Sequence, residues 1–292
     1  MSIQLSSHDK FVSALENAHH VSIASYSLTQ EMVDRLKACT KHADVHVRLD
    51  GKVVGRDRGS RADTAKRMVQ DLCENGVDAY LVPPSDDIIP HAKAAIVDDV
   101  LWLDDRNFPR RGYDLTVRDD DPADVVAGAN AMAGHPARTA RLTFIKCDAI
   151  HQEAAAIAAA PRGEIALSTE DISTGAIVNE LKDRLAAGDG VRLIVNAHEC
   201  TSQFAREALA TLKGAGADIR SGRELDKLTL TPDRVWLGST NATGLTNDTA
   251  GQSDWGLVTT NADAVVTLRG RFETEWRDAK KWTPRPEPRP LR

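Results

Sequence analysis

The sequence of 292 residues has no long apolar run, few cysteines and few aromatic residues. No segment approaches the ~20 consecutive apolar residues of a membrane-spanning helix, and the N-terminus lacks the basic and apolar regions of a signal peptide. Four widely separated cysteines argue against a disulfide-rich secreted domain. We expect a soluble, cytoplasmic protein with reduced cysteines and no stable insertion into a membrane.

The chain also lacks an excess of positive charge. Its 37 lysines and arginines face 43 aspartates and glutamates, which gives a net charge of −6 at pH 7. A protein that coats nucleic acid usually has a basic surface, so this class is disfavoured, although a nuclease with a locally basic cleft is not excluded. We interpret the most basic stretch as a solvated face, with a basic lip over a cleft as the alternative. This stretch comprises Lys52, Arg56, Arg58, Arg61, Lys66 and Arg67.

An internal repeat is the strongest pattern in the sequence. A strand pattern that begins at Val21 is followed by an amphipathic helix and a second strand, and the same order begins again at Gly163. Each copy continues with a helix that ends near a glycine, two strand patterns, a further strand, a polar turn and a helix. Such alternation predicts α/β layers in which helices cover the sheets.

The repeat predicts the overall architecture. We expect two similar halves, each a helix-covered mixed sheet, packed as a pseudo-dimer about a pseudo-twofold axis within a monomer. The predicted boundaries are an N-terminal half at residues 1–145, a C-terminal half at 146–282 and a flexible Pro/Arg-rich tail at 283–292. A cleft at the axis would receive equivalent residues from both halves.

Residues suited to binding phosphate occur at matching places in the two copies. The first copy has an H-x-K-x4-D pattern and a later asparagine: His91, Lys93, Asp98 and Asn107. The second copy has a lysine and a G-S-x-N pattern: Lys227, Gly238, Ser239 and Asn241. Lysine and asparagine supply the positive charge and hydrogen-bond donors that an anionic phosphodiester requires. On a strand, His91 and Lys93 would face the same side.

These patterns resemble the HKD motif of the phospholipase D superfamily, and the resemblance extends from about residue 10 to about residue 282. It implies a phospholipase D-type fold and an enzyme that hydrolyses or transfers a phosphodiester of nucleic acid, a phospholipid or a small molecule. The intermediate would be a phosphohistidine at His91. The resemblance implies no metal and no cofactor.

The resemblance also implies roles for individual residues. The implied catalytic residues are His91, Lys93, Asp98, Lys227 and Asp254. The implied phosphate-binding residues are Asn107, Ser239 and Asn241. In the family, an acidic residue downstream of each motif orients the histidine, commonly across the halves. The matching positions here are Asp114 and Asp254, and we pair Asp254 with His91.

The sequence departs from the family pattern in both copies. Leu225 stands in place of the second histidine, and Pro232 stands in place of its aspartate, with Asp233 one position later. Asp104 and Asp105 replace the Gly-Ser of the first copy and add negative charge close to the expected phosphate. We expect this charge to weaken phosphate binding unless one carboxyl is protonated or turned away.

The departure at Leu225 removes the acid that protonates the leaving oxygen in the family. Loss of a general acid typically costs about 10² to 10⁴ in rate, so turnover would be slowed more than prevented. A water molecule or a nearby carboxyl group would substitute. The candidate carboxyl groups belong to Asp105, Glu224 and Asp226. The alternative function is a catalytically impaired member that binds a phosphorylated ligand or a protein partner.

Two groups of residues have a superficial likeness to metal sites. The carboxylates of Asp98, Asp99, Asp104 and Asp105 are the ligand type that Mg²⁺ and Ca²⁺ prefer. Cys39, His42 and His46 have ligand types suited to zinc but lack a second ligand pair. We interpret both groups as solvated or packing residues.

Overall fold

The structure is a computed structural model that describes residues 3–51, 60–82, 91–106, 108, 115–223, 225–244 and 253–283. Within these ranges the chain forms two mixed sheets, of seven and eight strands, and eight helices. None of the described helices combines the length and apolar character needed to cross a membrane.

The first sheet is built from residues 4–119. Its strands are β1 Gln4–Ser6, β2 His20–Ser25, β3 Asp44–Asp50, β4 Asp78–Val82, β5 Ala94–Val97, β6 Val100–Asp104 and β7 Thr116–Asp119. They hydrogen-bond in the order β1-β7-β6-β5-β2-β3-β4. The helices of this half are α1 His8–Glu16, α2 Gln30–Cys39, α3 Ser60–Glu74 and α4 Pro122–Met132.

The second sheet is built from residues 142–281. Its strands are β8 Leu142–Thr143, β9 Ile165–Thr169, β10 Val191–Asn196, β11 Asp218–Gly222, β12 Leu228–Leu230, β13 Val235–Gly238, β14 Gly256–Thr259 and β15 Lys280–Lys281. They hydrogen-bond in the order β15-β11-β10-β9-β12-β13-β14-β8. The helices of this half are α5 Lys146–Ala158, α6 Ala176–Ala186, α7 Gln203–Gly214 and α8 Ala262–Asp278.

The two sheets repeat one topology, which confirms the predicted fold class. Apart from β15, the strand order of the second sheet is that of the first, with β8 in the place of β1 and β9 in the place of β2. The repeat extends further than the sequence pattern indicates, because β1 and α1 correspond to β8 and α5. These elements are hard to recognise because β1 and β8 are three and two residues long.

Local signals in the sequence account for several of these elements. Ser7, Thr29 and Ser202 each cap a helix by accepting a hydrogen bond from the backbone nitrogen three residues later, which satisfies an otherwise unpaired donor. β9 lies between two other strands and all five of its residues are buried. A strand covered on both faces needs such a continuous buried run rather than strict alternation.

The largest hydrophobic cluster lies between the halves. It includes Leu101 and Leu103 of the first sheet, Leu228 and Leu237 of the second, and apolar residues of α4 and α8. A separate cluster fills the space under the other helices of each half. The halves therefore pack together through a shared core, as expected of a pseudo-dimer.

The chain passes from the first sheet to the second between residues 119 and 142. The boundary after residue 145 remains a prediction, and β8 of the second sheet precedes it. The predicted tail lies outside the described residues beyond residue 283, as do Lys52, Arg56 and Arg58. Lys66 and Arg67 are exposed on α3.

Candidate active site

His91 lies where the two halves meet, just before β5. Its Nδ1 is 2.6 Å from Oδ1 of Asp254, a residue of the second half that precedes β14. Its backbone nitrogen donates to Oγ of Ser253 at 3.2 Å. The ring of Tyr26 packs edge-on against the imidazole, with 5.3 Å between centroids. The expected contact of His91 with Asp254 is therefore present and crosses between the halves.

Asp254 is buried and receives several donors. Its Oδ1 accepts a hydrogen bond from Oγ of Ser239 at 2.8 Å, and its Oδ2 lies 3.6 Å from Nζ of Lys146. Burial by itself would raise the pKa of this carboxyl group, but His91, Lys93 and Lys146 lower the pKa well below its ordinary value. Asp254 is therefore a carboxylate at neutral pH. Ser239, which we expected to bind phosphate, donates its hydroxyl hydrogen to this carboxylate.

Lys93 lies beneath the imidazole and is 5% exposed. Its Nζ is 2.7 Å from the carbonyl oxygen of His91, 3.1 Å from Nδ1 of His91 and 4.0 Å from Oδ1 of Asp254. Burial lowers the pKa of Lys93 to about 8, against the attraction of Asp254. At neutral pH the side chain is mostly an ammonium ion.

These contacts select one tautomer of His91. Burial lowers the pKa of His91, and the attraction of Asp254 opposes this effect only in part, so the imidazole is neutral at pH 7. A carboxylate can only accept a hydrogen bond, so Nδ1 must carry the proton that Asp254 receives. Lys93 cannot donate to that protonated nitrogen and donates to the carbonyl oxygen instead. The lone pair is then on Nε2.

Lys227 is the second buried cation of the site. Its Nζ lies 3.1 Å from Oε2 of Glu170 and 3.2 Å from the carbonyl oxygen of Asp105. The charge of Lys227 also lowers the pKa of Lys93, so the two lysines act on the same region. A phosphate group there would compete with Glu170 for Lys227.

Three contributors to the site were missed by reasoning from the sequence: Tyr26, Lys146 and Glu170. Tyr26 directly follows β2 and Glu170 directly follows β9, so they occupy equivalent positions in the repeat. These matching positions were the signal in the sequence that could have identified Tyr26 and Glu170 as site residues. Burial would raise the pKa of Glu170, but Lys227 lowers it below its ordinary value. Glu170 is therefore the anionic partner of Lys227.

The three candidate acids have different environments. Asp105 is fully buried, and burial raises its pKa to about 7 against the opposing charge of Lys227. Its carboxyl oxygens accept no hydrogen bond from the described residues. Asp226 forms a two-point ion pair with Arg271 at 2.8 and 2.9 Å. Glu224 lies outside the described residues.

The position of the missing histidine is filled by an apolar side chain. Leu225 is buried, and its carbonyl oxygen accepts a hydrogen bond from Nη2 of Arg106 at 3.1 Å. The carboxylate of Asp104 accepts from the backbone nitrogens of Arg106 and Phe108. Asp104 therefore supports the turn after β6, so its negative charge is already engaged by backbone donors.

Asp98 does not lie with the other site residues. It is exposed at the end of β5 opposite His91, where its Oδ1 accepts hydrogen bonds from the backbone nitrogens of His19 and His20, both at 2.9 Å. The expectation that Asp98 belongs to the catalytic cluster is thus corrected. It fixes the β5–β6 turn against the start of β2. Asp233 lies in the corresponding turn before β13 and pairs with Arg234.

Of the expected phosphate-binding residues, Asn241 has its Oδ1 3.5 Å from Oγ1 of Thr169, at the end of β9. Asn107 lies outside the described residues, as does Asp114. In the described part of the chain, no group of three or more His, Cys, Asp or Glu side chains is arranged to hold a metal ion. Cys39 is buried against Leu15.

Comparison with known proteins gives matches among solved structures. No family model and no curated protein matches the sequence. The phosphatidylserine synthase of Haemophilus influenzae Rd KW20 superimposes with a TM-score of 0.70 at 11% identity, over 96% of this chain and 87% of that one. The polyphosphate kinase of Porphyromonas gingivalis gives 0.66 at 13% identity over 94% of this chain.

Both of these enzymes belong to the phospholipase D superfamily. The chain has the phospholipase D fold. It spans about half the length of the polyphosphate kinase, 47% of that chain. In this phospholipase D fold, His91 and Lys93 come from the first copy of the repeat, and Lys227, Ser239 and Asp254 come from the second.

Proposed function

We propose that the protein hydrolyses or transfers a phosphodiester through a covalent phosphohistidine at His91. The observation that carries this proposal is the 2.6 Å contact of His91 Nδ1 with the buried carboxylate of Asp254. A neutral imidazole held in this way has its nucleophilic nitrogen, Nε2, available for phosphorus. Lys93 supplies positive charge beside it.

The proposed reaction has two steps. In the first, Nε2 of His91 attacks phosphorus, a P–N bond forms, and the P–O bond to the leaving alcohol breaks. Negative charge on the nonbridging oxygens is stabilised by the ammonium groups of Lys93 and Lys227. In the second step, water or an alcohol attacks phosphorus, a new P–O bond forms and the P–N bond breaks, and the proton of the attacking molecule passes to the carboxylate of Asp105 or to solvent. Hydrolysis and transfer differ in the acceptor alone.

The leaving alcohol must gain a proton when it is weakly acidic. Of the candidate acids, Asp105 is the one whose pKa burial raises to about 7, so part of its population is protonated at pH 7. Both carboxyl oxygens of Asp226 already accept hydrogen bonds from Arg271. We assign proton donation to Asp105. A nitrophenolate leaving group does not need this donor.

The test uses bis(4-nitrophenyl) phosphate in the presence of EDTA. We expect the unmodified protein to release 4-nitrophenolate and His91→Ala to release none above background. The control is His135→Ala, because His135 is exposed and outside the site. Mass spectrometry after rapid quenching should find a 4-nitrophenyl phosphate adduct on His91. Equal activity in His91→Ala and the unmodified protein would refute the mechanism.

The second candidate is a protein that binds a phosphorylated ligand without turnover. Two observations favour it. Leu225 fills the position of the second histidine, and Glu170 already forms an ion pair with Lys227. Binding of the same phosphodiester by calorimetry, with no product after long incubation, would support this candidate.

A further inference from the structure

The second half contains a cavity of about 840 Å³. It lies between α8 and the chain that follows β11, and Leu225 is part of its wall. Lys227, two residues further along the chain, belongs to the active site. The cavity therefore reaches the position of the missing histidine, which Leu225 fills. Its volume is within the range of about 300 to 1,000 Å³ that is usual for small-molecule sites.

The inner wall of the cavity holds an ion pair and a neutral acid. Arg271 is bound at two points by the buried carboxylate of Asp226. Glu275 accepts a hydrogen bond from Oγ of Ser168 at 3.3 Å, and burial and the charge of Asp226 raise its pKa to about 8. Glu275 is thus mostly protonated at pH 7. This wall carries little net charge and does not repel an anion.

The outer part of the cavity is basic. Arg223 and Lys280 line it and are exposed. Neither makes an ion pair with another described residue, in contrast to Arg271. Asp278 contributes one negative charge to the lining, and Leu225 and Ala279 contribute apolar surface. The chemistry is that of a site for an organic anion with a partly apolar body.

We propose that this cavity binds the organic group attached to the phosphodiester, and that Arg223 and Lys280 bind a second anionic group on it. The ligand class is a small organic anion of about nucleotide size with a phosphate or carboxylate beyond the reacting phosphodiester. The assignment of the ligand as substrate rests on the proposed function. Binding to the cavity can be tested without turnover.

Gly270 offers a way to fill the cavity with little disturbance of the fold. It lies on the cavity side of α8, and a Cβ at this position would meet no heavy atom within 4 Å. The side chain in Gly270→Phe would therefore extend into the cavity. Gly214, at the end of α7, has the same free space but does not line the cavity. Gly214→Phe is the matched control.

The binding test uses thymidine 3′,5′-bisphosphate and titration calorimetry at pH 7. We expect the unmodified protein and Gly214→Phe to bind it equally, and Gly270→Phe to bind it about tenfold or more weakly. Arg223→Gln and Lys280→Gln should each weaken binding severalfold, and the steepness of the salt dependence should fall. Lys182→Gln, which removes an exposed charge on α6, should change nothing.

A turnover test separates this proposal from the proposed function. Its substrates are the 4-nitrophenyl esters of thymidine 5′-phosphate with and without a 3′-phosphate, which share a leaving group. We expect a lower KM for the bisphosphate and loss of that preference in Arg223→Gln and Lys280→Gln. Absent binding, or equal affinity in Gly270→Phe and Gly214→Phe, would overturn the cavity assignment. Binding lost in Gly270→Phe without turnover of either ester would uphold the cavity and overturn the function.

Discussion

His91 has two charged neighbours with opposite effects on its chemistry. The carboxylate of Asp254 holds the proton on Nδ1, and the ammonium group of Lys93 lies 3.1 Å from the same nitrogen and opposes protonation of the ring. The result is a neutral imidazole at pH 7 with a fixed tautomer. Its reactivity therefore depends on residues from both halves of the chain.

Replacement of Asp254 by asparagine tests this dependence. Asp254→Asn retains the size of the side chain but removes the charge that selects the tautomer and offsets Lys93 and Lys146. We expect the rate with bis(4-nitrophenyl) phosphate to fall by about 10² to 10⁴. Asp148→Asn, at a surface ion pair with Arg138, is the control. A loss of less than tenfold in Asp254→Asn would contradict the proposed role.

The pH dependence should report the buried lysine. Lys93 is an ammonium ion below its pKa of about 8 and loses its charge above it, so kcat/KM for bis(4-nitrophenyl) phosphate should decline above about pH 8. His91 must be neutral, and its pKa is lowered, so the acid limb should lie below the ordinary histidine value of about 6.5.

A substrate with an alkyl leaving group should behave differently. It requires protonated Asp105, whose pKa is about 7, and this form is lost as the pH rises. We expect the alkaline limb to move from about pH 8 to about pH 7 when the leaving group changes. The measurement compares pH profiles of kcat/KM for the two substrates. Coincident alkaline limbs would exclude Asp105 as the acid.

Arg141 joins three elements where the chain passes from the first half to the second. It precedes β8 and donates to Asp119 of β7 at 2.9 Å and to Asp124 of α4 at 2.6 Å. Both carboxylates are almost fully buried. Removing one partner from a buried ion pair leaves uncompensated charge, which is more costly than replacing the whole group by apolar residues.

We expect Arg141→Met to lower the free energy of unfolding by about 3 kcal/mol. Arg138→Met is the control, because Arg138 is 74% exposed in its pair with Asp148 and should change stability by about 0.5 kcal/mol or less. Urea denaturation monitored by tryptophan fluorescence measures both. The pKa of Asp119 is already raised to about 6. Because Asp119 is mostly protonated at pH 5, Arg141→Met should lower the free energy of unfolding less at pH 5 than at pH 8.

The whole molecule depends on the surface between its halves. The largest hydrophobic cluster is formed by both sheets together with α4 and α8, and the site divides its residues between the same two halves. Separation would expose this core to water and would part His91 from Asp254. Stability and catalysis should therefore be lost together.

Two fragments test this coupling. A cut after Gly134 keeps β8 with the second sheet and yields fragments 1–134 and 135–292. We expect neither fragment to hydrolyse bis(4-nitrophenyl) phosphate, and co-expression to restore activity. A first fragment carrying His91→Ala should restore none. Full activity of fragment 1–134 alone would show that Asp254 and Lys227 are not needed.

Much of this organisation could be predicted from the sequence because it depends on local patterns. The order of strands and helices, the duplication and the H-x-K pattern follow from periodicity and spacing. The pairing of His91 with Asp254 followed from the family resemblance. The prediction that Asp98 lies in the catalytic cluster was wrong. Strand β5 separates Asp98 from His91, and the spacing of the motif does not show that the two residues lie at opposite ends of this strand.

Sequence periodicity was sufficient to predict two copies of one α/β unit, because each strand and helix is formed by residues close together in the chain. The protonation states and the neighbours of His91 depended on the folded chain. Glu170 meets Lys227, and Lys146 approaches Asp254, across separations of 57 and 108 residues along the chain. Burial and electrostatic fields arise when such distant segments are packed together, and no local pattern encodes them.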